Sequence, residues 1–154
     1  MERAHRRGDR GAMTTPCLFC RIAQHDEHAS IVLDVDGVLA FLDHRPLFPG
    51  HCLLIPKAHH ETLADLPPDL VGPLFQHART LARAVERAFD ADGTFVAINN
   101  RVSQSVPHLH VHVVPRRFKD GLRGFFWPRQ QYPNAQALLT ARDAIVAAMS
   151  ELQP

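Results

Sequence analysis

The sequence lacks a long apolar run and has almost no net charge. No stretch approaches the roughly 20 apolar residues that span a bilayer, and the first residues lack the apolar segment of a secretory signal. The 17 Lys and Arg residues nearly balance the 16 Asp and Glu residues, so the formal charge is +1 and provides no long-range attraction for nucleic acid or an anionic membrane. We therefore expect a cytoplasmic protein with a small ligand held by local donors, and with neither nucleic acid nor a membrane as its partner.

Cysteine is scarce and odd in number. Two of the three cysteines form the spacing Cys17-x-x-Cys20, and Cys52 stands alone in an apolar run. This count does not suggest a disulfide framework, and in a reducing compartment a Cys-x-x-Cys pair more often binds metal. A closed tetrahedral zinc site would need two further ligands. Cys52 is expected in the core.

The chain is long enough for one domain, with 154 residues of which 45% are hydrophobic. We expect residues 1–15, which have no hydrophobic periodicity, to be disordered and residues 16–154 to form a single domain. Met13 is an alternative start. The prediction is an α+β fold in which an antiparallel meander sheet accompanies one long central helix and a C-terminal helix. The predicted strands are 30–33, 38–42, 51–55, 94–98 and 106–114, and the predicted helices are 68–89 and 135–152.

Three histidines alternate with branched apolar residues from His108 to Val114. On a strand, alternate side chains share one face, so the histidines should line a site while the apolar residues enter the core. Neutral imidazole is a competent nucleophile, and its protonated form donates to a phosphoryl oxygen. Alternate positions lie roughly 6.6 to 7 Å apart, so two histidines can flank one phosphate while the third serves elsewhere. Pro107 lacks a strand donor, which suggests an edge position for this strand.

The same histidines also permit a metal-based alternative, in which His108, His110 and His112 hold catalytic zinc. Such sites commonly use a carboxylate as ligand or base, and residues 108–117 contain no Asp or Glu. This absence favours covalent catalysis by histidine.

The segment from Gln104 to Arg116 resembles the signature of the histidine-triad (HIT) superfamily, His-φ-His-φ-His-φ-φ, where φ is apolar. The resemblance runs from about Pro16 to Phe118 and is to the zinc-motif-containing, bacterial-type branch of HIT nucleotide hydrolases. It implies a HIT-like α+β fold and a homodimer whose sheets join across the interface. It also implies hydrolysis or transfer at phosphate esters, phosphoramidates or dinucleoside polyphosphates. Further matching segments are 17–22, 39–43 and 49–59.

The resemblance implies a role for each matching catalytic residue. His110 would be the nucleophile that forms a nucleotidyl-imidazole intermediate, which water then cleaves. His112 and Ser105 would hold phosphate oxygens. A histidine at position 112, where the nucleotidylyltransferase branch has Gln, favours hydrolysis over transfer.

The resemblance also implies how a purine nucleotide is held. Asp43 would accept hydrogen bonds from the ribose hydroxyls, although a turn Asp after a strand is an alternative. Asn99 and Gln104 would lie beside the ribose and phosphate. Phe41 and Ile22 would line the base pocket, or else belong to the core.

For the metal, the resemblance implies a structural zinc ion bound by Cys17, Cys20, His59 and His108. His60 competes with His59 for this role. We expect His51, which has no carboxylate neighbour in sequence, to support the site or to lie in the core.

The sequence departs from the family in the loop from Asn99 to Gln104, which is about two residues shorter than the common form and has lost its glycines. The main hypothesis is a hydrolase that releases a nucleoside monophosphate from an amine or polyphosphate leaving group. A nucleotide-binding regulatory module with little turnover and a dinucleoside polyphosphate phosphorylase remain alternatives.

Overall fold

The structure is a computed structural model that describes residues 17–123 and 128–152. The predicted disordered segment 1–15 and the aromatic residues 125–127 lie outside the described residues. Residue contacts divide the chain into two units, Met1–Asp120 and Gly121–Pro154. The single domain expected over 16–154 stays a prediction.

The first unit contains a five-stranded antiparallel sheet with the strand order β1-β2-β3-β5-β4. The first three strands form the predicted meander. Its elements are α1 (Leu18–Ala23), β1 (Ile31–Val35), β2 (Val38–Leu42), β3 (Cys52–Pro56), a 3-10 helix (Leu63–Asp65), α2 (Pro68–Phe89), β4 (Gly93–Ala97) and β5 (Val111–Arg116).

The last strand differs from its prediction in two ways. β5 begins at Val111, so His108 and His110 precede the strand and only His112 lies within it. β5 also lies between β3 and β4, so the edge position inferred from Pro107 is wrong. The physical reason is that Pro107 stands before the strand, where its missing N–H interrupts no ladder.

Helix α2 confirms its predicted bounds, since it runs from Pro68 to Phe89. Proline suits the first turn of a helix, where its missing N–H would have no partner. The helix ends at Asp90, which adopts the left-handed conformation that commonly terminates helices. Its buried side chains recur at intervals of three or four residues and are Leu74, Ala78, Leu81 and Val85.

Two apolar clusters cover the two faces of the sheet, because side chains alternate along each strand. On one face, Ala40, Leu54 and Val111 pack with the buried side of α2. On the other face, Phe41 and Leu53 pack with residues of α1 in a second cluster. The even positions of β5 therefore face α1, and this side of the sheet carries His112.

The second unit contains α3 (Ala135–Leu152), which confirms the predicted C-terminal helix. Its side chains include exposed large apolar residues, among them Ile145 and Met149. Within the described residues, 17–123 and 128–152, no helix is both long enough and apolar enough to cross a membrane.

Gly50→Ala is expected to destabilise the fold by about 1 to 3 kcal/mol. Gly50 has φ +95°, and a Cβ there would come within 2.4 Å of the Phe89 ring. Equilibrium denaturation measures the loss. The control Gly37→Ala, at φ +78° with open space around it, should lose less because it carries backbone strain alone. Adding Phe89→Ala should relieve part of the Gly50→Ala loss; simple additivity of the two losses would contradict the predicted clash.

Candidate active site and metal centre

The register of three neighbouring strands brings Asp43, His51 and His112 together. Leu53 is paired with His112 across β3 and β5. The Asp43 N–H donates to the His51 carbonyl at 2.9 Å, next to the β2–β3 ladder. Because alternate side chains share a face, Asp43, His51 and His112 all project from the α1 side of the sheet. The three residues are far apart in sequence, so only the strand pairing makes them neighbours.

A chain of hydrogen bonds fixes the tautomers of His51 and His112. The Leu47 N–H donates to His51 Nδ1 at 3.1 Å, so neutral His51 carries its proton on Nε2. His51 Nε2 is 2.9 Å from His112 Nδ1 and donates to it. Neutral His112 must then carry its proton on Nε2. His112 is therefore prepared to donate one hydrogen bond to a ligand.

Burial keeps both histidines neutral. His51 is 3% exposed, and burial lowers its pKa, an effect that Asp43 partly opposes. Burial, with added repulsion from His110 and His51, lowers the pKa of His112 to about 4. At neutral pH the site therefore contains hydrogen-bond donors without an imidazolium charge on His112.

The free energy of unfolding is expected to fall as the pH is lowered from about 6.5 to about 4. In this range unfolded His112 binds a proton and folded His112 does not, so the unfolded state binds more protons and gains stability from acid. We expect His112 to account for about 2 kcal/mol of the loss. Denaturant titrations at pH 7 and pH 4.5 on the wild type and His112→Gln measure it, since Gln does not titrate. Equal acid losses in the two proteins would refute this assignment.

His110 has the geometry of a nucleophile. Its side chain is 3% exposed, and its Nδ1–H donates to the His108 carbonyl at 2.7 Å. The proton is thereby held on Nδ1, and Nε2 retains its lone pair. The ring centroids of His110 and His112 are 4.9 Å apart. The Nε2 lone pair of His110 and the Nε2–H of His112 can therefore contact the same small group.

A second cluster contains the four residues predicted as metal ligands. Cys17 Sγ and Cys20 Sγ each lie 3.5 Å from His108 Nδ1, and Cys20 Sγ lies 3.3 Å from His59 Nδ1. Their potential ligand atoms are all within 4.8 Å of one another. The cluster includes His59 and not His60.

The donor set of this cluster fits a tetrahedral zinc ion. Zn–S bonds of about 2.3 Å and Zn–N bonds of about 2.0 Å place sulfur and nitrogen about 3.5 Å apart, close to the distances found here. His108 Nε2–H donates to the Pro56 carbonyl at 2.8 Å. Neutral His108 therefore carries no proton on Nδ1, and the Nδ1 lone pair faces the thiols as a potential metal ligand. A hydrogen bond from the second ring nitrogen is the usual support of a zinc-ligating histidine.

The same geometry opposes a catalytic zinc on His108, His110 and His112. Nδ1 of each ring has a different neighbour: the cysteine pair for His108, a main-chain carbonyl for His110 and His51 for His112. Within the described part of the chain, these three histidines do not form one potential metal cluster. The alternative of a metallohydrolase on this triad is therefore not supported.

The predicted base-pocket residues Phe41 and Ile22 are 3% and 5% exposed and pack in the α1 cluster. The core alternative accounts for both positions, and their role toward a base stays a prediction. Sequence reasoning assigned no role to Phe19, which contacts His110 edge-on with centroids 5.2 Å apart. Phe19 lies between Cys17 and Cys20, and this position in the motif is the sequence signal that could have placed it near the site.

The loop residues divide into two groups. Gln104 bonds within the protein through both polar atoms of its side chain, since Oε1 accepts the Arg101 N–H and Nε2 donates to the Glu61 carbonyl. Its predicted contact with substrate stays a prediction. The side chains of Asn99 and Ser105 make no hydrogen bond to any of the residues described here. Their polar groups remain available to a ligand.

The chain belongs to the HIT family, since the model of the HIT domain matches residues 24–119. An uncharacterised HIT-like protein of Saccharolobus solfataricus is 36% identical over 118 residues, which are 75% of this chain and 85% of that protein. Among solved structures, SMU.412c from Streptococcus mutans has a TM-score of 0.80 and 34% identity, with coverage of 91% of this chain and 89% of the other.

Three further similarities bear on the two clusters. A zinc-bound histidine-triad protein from Mycobacterium smegmatis has a TM-score of 0.67 and 34% identity, covering 84% of this chain and 97% of that one. An adenylylsulfatase of Arabidopsis thaliana is 32% identical over 69% of this chain and 55% of its own length. An asymmetrical bis(5'-nucleosyl)-tetraphosphatase of Schizosaccharomyces pombe is 37% identical over 53% of this chain and 46% of its own length.

Proposed function

We propose that the protein hydrolyses the bond between a nucleoside phosphate and an amine or polyphosphate leaving group, and releases a nucleoside monophosphate. The observation that carries this proposal is the state of His110. The His108 carbonyl binds its Nδ1–H at 2.7 Å, so the lone pair on Nε2 is free to attack phosphorus.

In the first step, His110 Nε2 forms a bond to phosphorus and the bond from phosphorus to the leaving group breaks. The leaving group departs with the bonding electron pair and takes up a proton. In the second step, water attacks phosphorus, the P–Nε2 bond breaks, and the nucleoside monophosphate leaves. Two steps through an imidazole intermediate replace one difficult displacement.

The phosphate oxygens are held by His112 and Ser105. His112 donates through Nε2–H, because His51 occupies its Nδ1. A donor that is already oriented by the fold can stabilise the charge that develops on the phosphoryl group. The Ser105 hydroxyl supplies a second donor.

A purine nucleoside would be bound on the same side of the sheet. Asp43 Oδ1 accepts the Arg45 N–H at 2.9 Å, which fixes the carboxylate while Oδ2 remains available to a ribose hydroxyl. Asn99 is assigned to the ribose and phosphate, and Phe41 and Ile22 to the base.

The cluster of Cys17, Cys20, His59 and His108 is assigned to a structural zinc ion. The protein is also proposed to be a homodimer. Support for the zinc comes from the sulfur–nitrogen distances and from the hydrogen bond between His108 Nε2–H and the Pro56 carbonyl. A zinc-bound relative of known structure adds to it. Four protein ligands leave no open position, so this ion would organise the chain rather than bind substrate.

Two similar proteins have names that denote cleavage at nucleotide phosphates, an adenylylsulfatase and a bis-nucleosyl-tetraphosphatase. Both similarities support a hydrolase of nucleotide derivatives. They differ in leaving group, so they leave both an amine and a polyphosphate to be tested.

Intact mass spectrometry tests the proposed function. The wild type and His110→Ala are mixed with an adenosine phosphoramidate or a diadenosine polyphosphate and quenched under mildly basic conditions. We expect a transient adenylyl adduct on the wild type, AMP as product and no adduct on the variant. AMP binding without adduct or product from either substrate would contradict the hydrolase and favour the regulatory module. Formation of ADP with added inorganic phosphate would identify a phosphorylase.

A further inference from the structure

We propose that Gln104 is a positioning residue, whose side-chain amide holds the loop 99–105 in the shape that presents Ser105 to the phosphate. This role rests on the proposed function, in which Ser105 is a phosphate ligand. This role is separate from the predicted contact between Gln104 and substrate.

The loop has a backbone conformation that needs external support. Arg101 has φ +66° and Ser103 has φ +60°, both in the left-handed region and neither a glycine. Residues with a Cβ rarely adopt this backbone conformation. They keep it where contacts with the surrounding structure hold it in place. The Val102 N–H also donates to the Asn100 carbonyl at 2.8 Å, which closes a tight turn across Arg101.

The Gln104 amide supplies this support with both of its atoms. Its Oε1 accepts the Arg101 N–H at 2.8 Å, which closes the loop on itself. Its Nε2 donates to the Glu61 carbonyl at 2.6 Å, which ties the closed loop to the segment before α2. Together with the Gln104 N–H, which donates to the Arg101 carbonyl at 3.4 Å, the amide therefore supports both the curvature of the loop and its place on the protein.

The segment to which Gln104 is tied is itself attached to the catalytic part of the chain. The Leu109 N–H donates to the His60 carbonyl at 2.6 Å. The Leu63 N–H donates to Asn100 Oδ1 at 2.8 Å. These contacts lie on both sides of Glu61 in sequence, so the bond from Gln104 to the Glu61 carbonyl lies between them.

Ser105 depends on this arrangement because it follows Gln104 directly and is exposed. Its hydroxyl has no hydrogen-bond partner among the residues that the structure describes. A phosphate ligand must be held to within about 0.5 Å of its productive position to be effective. The backbone that carries Ser105 must therefore be fixed by its neighbours.

The test uses Gln104→Ala and Gln104→Glu, with Gln76→Ala on the exposed side of α2 as the matched control. We expect Gln104→Ala to raise the Kd of AMP and the KM of substrate about tenfold. Gln104→Glu keeps the acceptor for Arg101 but loses the donor to Glu61, so its effect should be intermediate. Gln76→Ala should change neither constant. Gln104→Met, which keeps the length of the side chain, replaces the Ala variant if that protein does not fold.

A double-mutant cycle with Ser105→Ala separates positioning from general stabilisation. If Gln104 acts through Ser105, Gln104→Ala should weaken AMP binding much less in the Ser105→Ala background than in the wild type. Additive losses, or an AMP affinity of Gln104→Ala within twofold of the wild type, would overturn the proposal. Absence of turnover in the wild type would refute the proposed function instead. The cycle is read from AMP binding and needs no turnover, so the two failures can be distinguished.

Discussion

Replacing His110 by Ala is expected to lower the rate of nucleoside monophosphate release by at least about 10⁴-fold. The variant lacks the Nε2 lone pair that forms the covalent bond, while His112 and its bond from His51 remain. The remaining donors can still bind the phosphate but cannot divide the displacement into two steps. Single-turnover measurement of product release with enzyme in excess reports the chemical step directly.

The controls separate loss of chemistry from loss of structure. His110→Ala should bind AMP with an affinity close to that of the wild type, since the phosphate donors assigned to the site are on other residues. His28→Ala, which removes a histidine that lies before β1, should keep full turnover. A His110→Ala protein that binds AMP and retains more than about 1% of the wild-type rate would show that another group attacks phosphorus.

The two long helices, α2 and α3, could be predicted because their periodicity is local, whereas α1 and the 3-10 helix are too short to show a period and were not predicted. The apolar stripe of α2, its first-turn proline and the end of the pattern define Pro68–Phe89 from the sequence alone. The cluster of Cys17, Cys20, His59 and His108 could be predicted only through the resemblance to a family. Cys17 and Cys20 are separated from His108 by about ninety residues, and their spacing alone does not identify the remaining ligands.

The arrangement of the catalytic face could not be read from the sequence for a different reason. Whether His51 lies beside His112 depends on which strands are paired and in what register, and strand pairing is a long-range property. The tautomers depend on finer detail, since the Leu47 N–H decides which nitrogen of His51 carries the proton. No pattern in the chain reports such a contact.

Gln104 shows that a motif match does not describe all the contacts of a residue. The motif identifies the position, but the use of the side chain depends on the local backbone. In this short loop without glycines, residues 101 and 103 are left-handed, and the amide of Gln104 is engaged in closing the loop. The conformation of this loop therefore gives Gln104 internal hydrogen bonds that its match to the motif does not predict.

Loss of the proposed zinc ion is expected to have the largest effect on stability. Cys20→Ser should bind zinc much more weakly and lose about 5 kcal/mol or more of unfolding free energy, because structural zinc ions contribute apparent free energies of about 10 to 16 kcal/mol even to isolated small domains. For a chain of this size we expect the Tm to fall by about 10 to 20 °C. Calorimetry of both proteins with measurement of bound zinc checks this expectation. Cys52→Ser, which alters a buried thiol outside the cluster, should retain one equivalent of zinc.

The same ion should also affect catalysis, although it does not contact substrate. His108 offers Nδ1 to the cluster, and its main-chain carbonyl holds the Nδ1–H of His110. Release of His108 would therefore free the nucleophile from its fixed orientation. After addition of a chelator, turnover should fall in step with the loss of native structure, followed by circular dichroism on the same sample. An immediate loss of activity in a protein that remains fully folded would instead show that the metal takes part in the reaction, and would contradict a purely structural role.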